Sequence, residues 1–446
     1  MDTLIIVSVT LLLSVLIPAL YYYPDRWIFT SARPDLPGPR GVPLFGNLFQ
    51  FYPWRAKGVQ WICHIMKNYN DLASVTMPPW GRAIIIGRPE WLAYIKSADL
   101  ERYQRGAHEV AVFTEFPGRR IPLTSHGAEW RTYRRVMAPL FTARSINDHV
   151  RPAVAKTMGI TSDLLASVSK ENDPVDWNGA DMEFERAREY LFKIVDDIVT
   201  SRQTELEKSP NEVTSDYVSQ LLTNIESRDP LLIRDTLVTV LFAGRDNTHN
   251  SLNWSMHLLL RHPEWMERMR DEAMRLHSRQ ERGGLAHSDL GDYHIHQAVF
   301  YEVTRLWPGI PKNLRQAVCD DVLPALPEAN LPAVIIKKGD YVLWSDQYMM
   351  RHPAVWGEDA SLFNPGRHLD SVGRFIKPKS PEFNGFGHGP RFCPAAPMVT
   401  YEFVAIWSSL LPHFDFLARY DGEPAMIEAF TPVLGEPLPV EVRMRE

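Results

Sequence analysis

The chain has 446 residues, of which 45% are hydrophobic and 23% are charged, so it is neither a disordered tail nor a fibrous repeat. Its 48 Lys and Arg residues against 54 Asp and Glu residues give a net charge of −6, which offers no support for a nucleic-acid-binding protein. Three cysteines, Cys63, Cys319 and Cys393, cannot form a disulfide framework in a chain of this size, so we expect the folded body to lie in a reducing compartment.

Residues 4–23 form an uncharged, apolar segment that ends in three tyrosines. A helix of about 20 residues spans roughly 30 Å, the thickness of the hydrocarbon core of a bilayer. Asp2 precedes the segment and Arg26, Arg33 and Arg40 follow it, so the positive-inside rule places the N-terminus in a lumen and the remaining chain in the cytosol. A cleaved signal peptide is disfavoured, because no basic residue opens the chain and no small-residue cleavage site follows. We predict a transmembrane anchor over residues 1–23.

A proline-rich linker is predicted over residues 24–47, with four prolines between positions 34 and 43. Proline fixes φ and removes a backbone donor, so this segment should be a stiff, extended arm. Residues 48–446 are predicted to form a mainly α-helical body with a small β region. That region includes a short hairpin in which Val75–Thr76 pairs with Arg82–Ile86.

The longest predicted helix runs from Leu231 to Arg261, with Asp229 as its N-cap and Pro230 at its first position. Residues 231–241 are apolar nearly all round, so we expect this half to be buried. Residues 243–248 read Ala-Gly-Arg-Asp-Asn-Thr, an unusual insertion whose glycine costs about 1 kcal/mol relative to alanine in a helix. Two interpretations stay open from the residues alone: a helix crossing with a surface-facing acid, or a helix that loosens beside a ligand.

A glycine-rich loop, residues 385–395, places Cys393 directly before a predicted helix whose first residue is Pro394. The partial positive charge of a helix N-terminus, together with Arg391, lowers the pKa of a thiol and favours the thiolate. The glycines allow the backbone to approach a flat ligand and its N–H groups to bond the sulfur. A dinucleotide-binding loop is excluded because no strand precedes the glycines. The pattern therefore indicates that Cys393 is a metal ligand.

Residues 386–393 resemble the haem-binding signature of cytochrome P450 monooxygenases, Phe-x-x-Gly-x-Arg-x-Cys. Four weaker motifs follow the family's order: Trp130 with Arg134, residues 243–248, Glu302 with Arg305, and the segment 363–367 that ends in Arg367. The resemblance extends over nearly the whole chain, and residues 241–246 are most similar to the fungal alkane and fatty-acid hydroxylase branch. It implies the cytochrome P450 fold, mainly α with a small β region, behind a single N-terminal transmembrane helix.

The resemblance implies a haem b cofactor whose iron is held by the Cys393 thiolate, a ligand that favours O–O cleavage. It assigns Asp246, with Asn247 and Thr248, to the delivery of protons. It further implies a set of cofactor-binding residues: Trp130, Arg134, Ala243, Gly244, Arg315, Phe386, Gly389 and Arg391. Within that set, Trp130 and the three arginines can pair the haem propionates; for Arg315 an exposed surface position is the open alternative. Glu302, Arg305 and Arg367 are implied to form a buried structural triad.

Three positions depart from the family pattern: Asn247 stands where threonine is usual, Ala395 where glycine is usual and Gly366 where glutamate is usual. The first change leaves open how protons are relayed. The chain is also short between Phe141 and Leu231, where the family has several helices and part of the lid over the substrate. We therefore hypothesise that part of the lid is lacking around residues 177–180, through a real deletion or an error in the predicted gene.

The function implied is a monooxygenase that inserts one atom of O2 into an apolar small molecule (lipid, terpenoid or polyketide-like) in a fungal biosynthetic pathway. Electrons would come from NADPH–cytochrome P450 reductase, which carries FAD and FMN, through a basic docking face of Arg131, Arg135, Lys377, Lys379 and Arg391. The body would lie on the cytosolic side of the endoplasmic reticulum membrane. Phe113 and Phe116 would precede the Trp130 helix where the family lines its pocket. Two alternatives stay open: a haem-dependent isomerase or dehydratase that needs no O2 activation, and an inactive, truncated haem-binding homologue.

Overall fold

Helices form most of the fold, as predicted. The computed structural model describes residues 2–22, 35–42, 45–77, 81–99, 101–171, 175–176, 184–208, 216–224, 229–277 and 284–445. Its α-helices, in chain order, are α1 (Asp2–Tyr22), α2 (Leu48–Phe51), α3 (Gly58–Asn68), α4 (Pro89–Ser97), α5 (Ala107–Glu115), α6 (Gly127–Met137), α7 (Ala143–Ser145), α8 (Arg151–Glu171), α9 (Phe184–Lys208), α10 (Tyr217–Asn224), α11 (Pro230–Arg261), α12 (Pro263–His277), α13 (His294–Leu306), α14 (Asp346–Met349), α15 (Pro353–Trp356) and α16 (Ala396–Leu410).

The β region is small, and it also follows the prediction. Its strands are β1 (Leu72–Met77), β2 (Gly81–Ile86), β3 (Tyr103–Gln104), β4 (Val175–Asp176), β5 (Lys312–Ala317), β6 (Asp321–Leu323), β7 (Val334–Ile336), β8 (Tyr341–Ser345), β9 (Phe414–Ala418), β10 (Met426–Glu428), β11 (Pro432–Leu434) and β12 (Pro439–Met444). The main sheet has the order β1-β2-β8-β5-β3, and β12 lies between β4 and β9 in a second sheet. The predicted hairpin is confirmed, with Val75 opposite Ala83 in the antiparallel pair of β1 and β2.

Helix α11 begins and ends where the sequence predicts. The side chain of Asp229 accepts hydrogen bonds from the backbone N–H groups of Leu231 and Leu232, and the helix ends at Arg261. The expectation that its first half is buried all round is wrong, since Leu231 and Leu241 are 45% and 51% exposed. The apolar cluster that holds this half joins it to α9 and α10, and to α6 through Tyr133 and Val136.

The largest core cluster fixes α11 against α13 and α16. Phe300 and Val303 of α13 are buried with Trp254 of α11 and Phe403 of α16. The rings of Trp254 and Trp307 stack with centroids 3.6 Å apart. Burying a side chain of this size contributes about 1.5–3 kcal/mol relative to leaving it exposed. This core therefore sets the relative position of α11 and α16, on which the cavity described below depends.

The N-terminal segment is helical as α1, and residues 35–42 contain neither helix nor paired strand apart from one isolated bridge, between Val42 and Gly46. In the described part of the chain, no helix has both the length and the hydropathy that a membrane span requires. Residues 24–34 of the predicted linker, with Arg26 and Arg33, lie outside the described residues, as do residues 177–180, where the lid is predicted to be short.

Candidate active site

A cavity lies between α6, α11, α16 and the loop that precedes α16. Most of the predicted site residues meet there: its wall includes Trp130, Arg134, Ala243, Gly244, Asn247, Arg315, Phe386, Arg391 and Cys393. These residues come from four distant parts of the sequence, so the fold brings together what the motifs predicted separately.

Cys393 lies in the cavity wall at the end of its loop. Its backbone N–H donates to the carbonyl of Phe386 at 2.9 Å and so closes the loop. The sequence predicted that α16 begins at Pro394. The helix begins only at Ala396, so Pro394 lies before it. Burial raises the pKa of the Cys393 thiol, although the N–H groups of Ala395 and Ala396 and the charge of Arg134 act to lower it. The N–H groups at the start of the helix therefore lower this pKa as predicted, but burial outweighs them and the net shift is upward.

Glycine is required in the loop at Gly389. Its φ is +71°, and a Cβ there would lie 2.8 Å from the carbonyl oxygen of Lys96 at the end of α4. A larger residue would push the loop away from α4. Gly389 thus shapes the loop from behind and is not part of the cavity wall.

Buried cations line one end of the cavity: Lys96, Arg105, Arg315 and Arg391. Burial, with the neighbouring Arg315 charge, lowers the pKa of Lys96 to about 7. Arg315 is 1% exposed and donates to Asp99 at 3.2 Å, so the alternative of a surface arginine is wrong. In the described chain, Nε of Arg105 is buried without a hydrogen-bond partner, and Nε of Arg391 has only an ion pair with Asp99, at 3.5 Å. Within the described residues the ion pairs of these four cations run to two carboxylates, Asp99 and Glu109, so positive charge is left in excess and favours a further anionic partner.

Helix α6 supports this end of the cavity. Trp130 is buried, and the guanidinium of Arg391 lies 5.3 Å from the centroid of its ring. Arg391 donates to the carbonyls of Pro122 and Ser125, both at 2.9 Å, and Arg134 donates to the carbonyl of Phe392. The arginines that flank Cys393 are therefore held rigidly by backbone acceptors.

Helix α11 forms the facing wall. The amide Nδ2 of Asn247 donates to the carbonyl of Ala243 at 2.9 Å, and a Cβ at Gly309 would collide with the amide oxygen of Asn247. The structure does not bring the other two predicted proton-relay residues to the cavity. Asp246 pairs with Arg245 at 2.8 Å, and Thr248 turns away toward α16.

Aromatic rings form part of the cavity wall on the α11 side. Phe242 and Phe430 line the cavity, with ring centroids 5.2 Å apart. Phe113 packs on Phe430 at 5.5 Å and Phe116 on Phe242 at 5.2 Å, so both predicted pocket residues stand behind this wall. Phe430 is a site residue that the sequence did not indicate, and no motif surrounds it. The same holds for Lys96 and Arg105.

The predicted triad assembles away from the cavity. Arg305 donates to both oxygens of Glu302, and Arg367 donates to Oε1 of Glu302 at 3.0 Å. His368, which the sequence analysis missed, contacts the other oxygen at 3.0 Å. Burial acts to raise the pKa of Glu302, but the hydrogen bonds from Arg305 and His368 lower it to about 2. Gly366 precedes Arg367 without disturbing this cluster.

Comparison with known proteins decides the family. The family model for cytochrome P450 matches residues 36–182 and 175–444 of the chain. The chain belongs to the cytochrome P450 family. Cytochrome P450 monooxygenase cyp1 of Mycosarcoma maydis is 27% identical, across 96% of this chain and 78% of its own length. Cytochrome P450 52-M1 of Starmerella bombicola is 34% identical across 47% of this chain and 39% of its own length, and cytochrome P450 monooxygenase himC of Aspergillus japonicus is 30% identical across 59% and 46%.

This P450 is a monooxygenase, and its family uses a haem whose iron is held by a cysteine thiolate. The residues of the cavity fit that group. A cysteine sulfur lies in the wall, and a bound iron would keep it deprotonated despite burial. The guanidinium of Arg105, whose Nε lacks a hydrogen-bond partner in the described chain, is a donor that a propionate carboxylate needs.

Proposed function

We propose that this P450 is a membrane-anchored monooxygenase that inserts one atom of O2 into an apolar small molecule, and that Cys393 is the residue that would hold the iron of its haem. The observation that carries the proposal is the Cys393 sulfur in the wall of a cavity whose four buried cations pair, within the described residues, with only two carboxylates, Asp99 and Glu109. Cys393 is the one cysteine in that wall, since Cys63 and Cys319 do not line it.

The haem, when bound, supplies the activation of O2 with two electrons and two protons, and releases the second oxygen atom as water. The chain itself holds the cofactor through Cys393. Arg105, Arg315 and Arg391 would neutralise its propionates, and the guanidinium of Arg391 lies over the ring of Trp130. The amide of Asn247 fixes the facing helix wall through the Ala243 carbonyl.

The cavity wall formed by α11 is suited to an apolar substrate. The rings of Phe242 and Phe430 are its largest side chains, and Ile310 and Val240 continue it. In the described part of this wall the amide of Asn247 already donates to a carbonyl, so an ionised substrate group would meet no free counter-charge there. A lipid, terpenoid or polyketide-like compound from a fungal biosynthetic pathway satisfies this requirement.

Oxygen labelling tests the reaction class. Full-length protein with haem, an NADPH-dependent reductase, 18O2 and a panel of apolar compounds should give a product that carries one 18O atom. A product formed without NADPH would instead favour the isomerase or dehydratase, for which the replacement of the usual threonine by Asn247 is the supporting observation. Absence of product across the panel would favour the inactive homologue.

We further propose that α1 anchors the protein in the endoplasmic reticulum membrane, with the remaining chain in the cytosol. Apolar side chains along the helix are exposed, Leu12 at 65% among them, and Arg40 follows on the cytosolic side. Deleting residues 1–23 should release the protein from the microsomal fraction into the supernatant. Retention in that fraction would contradict the anchor.

Electrons would reach the site from NADPH–cytochrome P450 reductase. Arg131, Arg135, Lys377 and Lys379 are exposed near the loop that carries Cys393 and support a basic docking face. Arg391 is not part of this face, a correction to the sequence prediction, because its side chain is only 7% exposed and is bound to backbone carbonyls. Reductase-supported turnover should fall as ionic strength rises from low to moderate; the same rate at both would argue against this face.

A shortened lid remains part of the proposal. The family model matches the chain in two stretches, and these overlap at residues 175–182, around the predicted site of the deletion. The alignment with the Mycosarcoma maydis relative runs over 511 positions, more than the 446 residues of this chain. Ile160 and Leu164 of α8, the helix before this point, are 63% and 60% exposed. Sequencing the transcript across codons 170–185 separates a real deletion from an error in the predicted gene.

A further inference from the structure

Phe430 stands at the tip of the hairpin formed by β10 and β11. Glu428 pairs with Pro432 at the end of the hairpin, so residues 429–431 form the connection, and Phe430 lines the cavity from there. The two strands form a two-stranded sheet of their own. Such a hairpin is at best marginally stable in water by itself. The position of Phe430 therefore depends on the contacts that hold the hairpin against the rest of the fold.

Glu428 binds the β10 side of this hairpin to α3 and β5. Its Oε2 accepts hydrogen bonds from the backbone N–H of Val59, at 2.6 Å, and from Nζ of Lys312, at 3.1 Å. Its Oε1 accepts a third hydrogen bond, from the backbone N–H of Gln60, at 3.1 Å. The side chain of Glu428 is 1% exposed. A buried carboxylate is tolerated when it is both paired and hydrogen-bonded, and Glu428 meets both conditions.

Helix α3 depends on this carboxylate for its cap. Val59 and Gln60 are the second and third residues of the helix, and the N–H groups of a first helical turn have no acceptor within the helix. Lys57 is the N-cap residue, and within the described chain its side chain makes no capping hydrogen bond. The partial positive charge of the helix terminus adds to the charge of Lys312 in favouring a carboxylate. Glu428 thus caps α3 across 369 residues of sequence.

Helix α11 holds the other side of the hairpin. Nδ2 of Asn250 donates to Oγ1 of Thr431, and Nε1 of Trp254 donates to the carbonyl of Pro432, both at 2.7 Å. Both donor residues are buried, and Trp254 belongs to the largest core cluster. The residues that follow the tip are therefore held by the core, and the strand that precedes the tip needs an anchor of its own.

Ring packing does not supply that anchor. Phe430 meets the rings of Phe113 and Phe242, with centroids 5.5 and 5.2 Å apart. Aromatic pairs accept several relative orientations, with centroids about 4.5 to 7 Å apart. Hydrogen bonds to a charged group restrict the backbone more narrowly. Glu428, two residues before Phe430, is the only charged residue between positions 425 and 435.

Resting on the proposed function, we propose that Glu428 is a positioning residue, which holds Phe430 in the cavity wall and thereby sets the shape that an apolar substrate must fit. In the described structure Glu428 does not itself line the cavity, so it acts through Phe430. A glutamine at this position would keep the volume of the side chain but lose the charge that pairs with Lys312 and with the start of α3. The tip would then move relative to the rest of the wall.

Binding of two azoles to the full-length, haem-loaded protein tests this role without turnover. Imidazole and 4-phenylimidazole both ligate haem iron through a ring nitrogen and differ by one phenyl group, so the ratio of their dissociation constants reports the space in the cavity. Glu428→Gln and Phe430→Ala should each change this ratio by at least about five-fold, in the same direction, an effect of the size that contacting residues exert on one another. Glu436→Gln, at an exposed glutamate just after the hairpin, should match the wild type. A wild-type ratio in Glu428→Gln overturns the proposal.

A double variant tests whether Glu428 acts through Phe430. Glu428→Gln combined with Phe430→Ala should give the same ratio as Phe430→Ala alone, because the positioned ring is already absent. Effects that multiply would overturn the positioning role, since a general loss of stability acts independently of that ring. Lys312→Met keeps both backbone donors and should change the ratio in the same direction by a smaller factor. If Glu428→Gln takes up no haem, Lys312→Met decides in its place, and a wild-type ratio in it overturns the proposal.

The reduced, carbon-monoxide-bound spectrum separates this inference from the proposed function. A thiolate spectrum in Glu428→Gln shows that the variant folds and keeps its cysteine ligand, so a changed azole ratio then reports the cavity wall. Loss of the thiolate spectrum in the wild type refutes the proposed function and the positioning role together. Normal spectra in all variants with equal azole ratios refute the positioning role alone.

Discussion

Both carboxylate oxygens of Glu302 accept hydrogen bonds from the guanidinium of Arg305, at 2.7 and 2.8 Å, and neither side chain is exposed to solvent. The remaining donors of Arg305 reach the carbonyls of Met350 and Ala360, both at 2.6 Å, and the carbonyl of Leu362 at 3.1 Å. Helix α13 is thereby bound to the segment that follows β8. Because the pair is buried, removing Glu302 would leave the guanidinium of Arg305 as an unpaired charge in the core.

Replacing Glu302 by glutamine should therefore destabilise the protein by about 3–5 kcal/mol, the cost typical of breaking a buried ion pair. Chemical denaturation of the full chain measures this free energy of unfolding. Glu264→Gln, a change at an exposed glutamate of α12, is the matched control and should stay within about 0.5 kcal/mol. A loss below about 1 kcal/mol in Glu302→Gln would show that the triad contributes little.

Lowering the pH should reveal how much Glu302 and its partners contribute to stability. The pKa of Glu302 is lowered to about 2 in the folded protein from an ordinary value of 4.5, so the folded state binds a proton less readily than the unfolded state. The stability that Glu302 provides is complete above pH 4.5 and is lost as the pH falls toward 2. Denaturant midpoints should therefore fall more steeply between pH 5 and pH 3 in the wild type than in Glu302→Gln. Parallel curves would contradict the lowered pKa.

Sequence reasoning succeeded where a residue type is tied to local chemistry. The N-cap Asp229, the break after Arg261 and the antiparallel pairing of β1 with β2 follow from backbone rules that act over a few residues. The position of Cys393 in the cavity wall agreed with its motif. Such features carry their own cause in the sequence.

Prediction from the sequence failed where long-range packing decides which residues lie together. Lys96, Arg105 and Phe430 lie in no motif, and only the fold brings them beside Cys393. The pKa of Cys393 was misjudged because burial is a property of the whole fold and outweighs a local dipole. Asp246 and Thr248 were assigned from the motif, yet the rotation of α11 turns both away from the cavity and leaves Asn247 in its wall.

Asn247 and Gly309 should prove energetically coupled. The amide oxygen of Asn247 occupies the space that a Cβ at Gly309 would need. Gly309→Ala should cost about 1–3 kcal/mol of stability, as overpacking does. In an Asn247→Ala background that cost should largely disappear, giving a coupling energy of at least about 1 kcal/mol in a double-mutant cycle. Additive effects of the two changes would contradict this contact.

The buried cations should control how tightly the cofactor is held. Arg105→Gln removes a guanidinium whose Nε lacks a partner in the described chain, together with its 2.7 Å pair to Glu109. A charge-assisted hydrogen bond contributes about 1.5–3 kcal/mol, so haem transfer to apomyoglobin should be roughly ten- to a hundred-fold faster. Arg374→Gln changes an exposed arginine and is the matched control. Equal transfer rates for both variants would contradict the assignment of Arg105 to the propionates.

The identity of the iron ligand is tested most directly by the absorption spectrum of the reduced, carbon-monoxide-bound protein, recorded for the wild type and for Cys393→Ala. The wild type should show the strongly red-shifted Soret band of a thiolate-ligated haem, and Cys393→Ala should lose it. A thiolate band that persists in Cys393→Ala, or a wild-type protein that takes up no haem, would contradict the account.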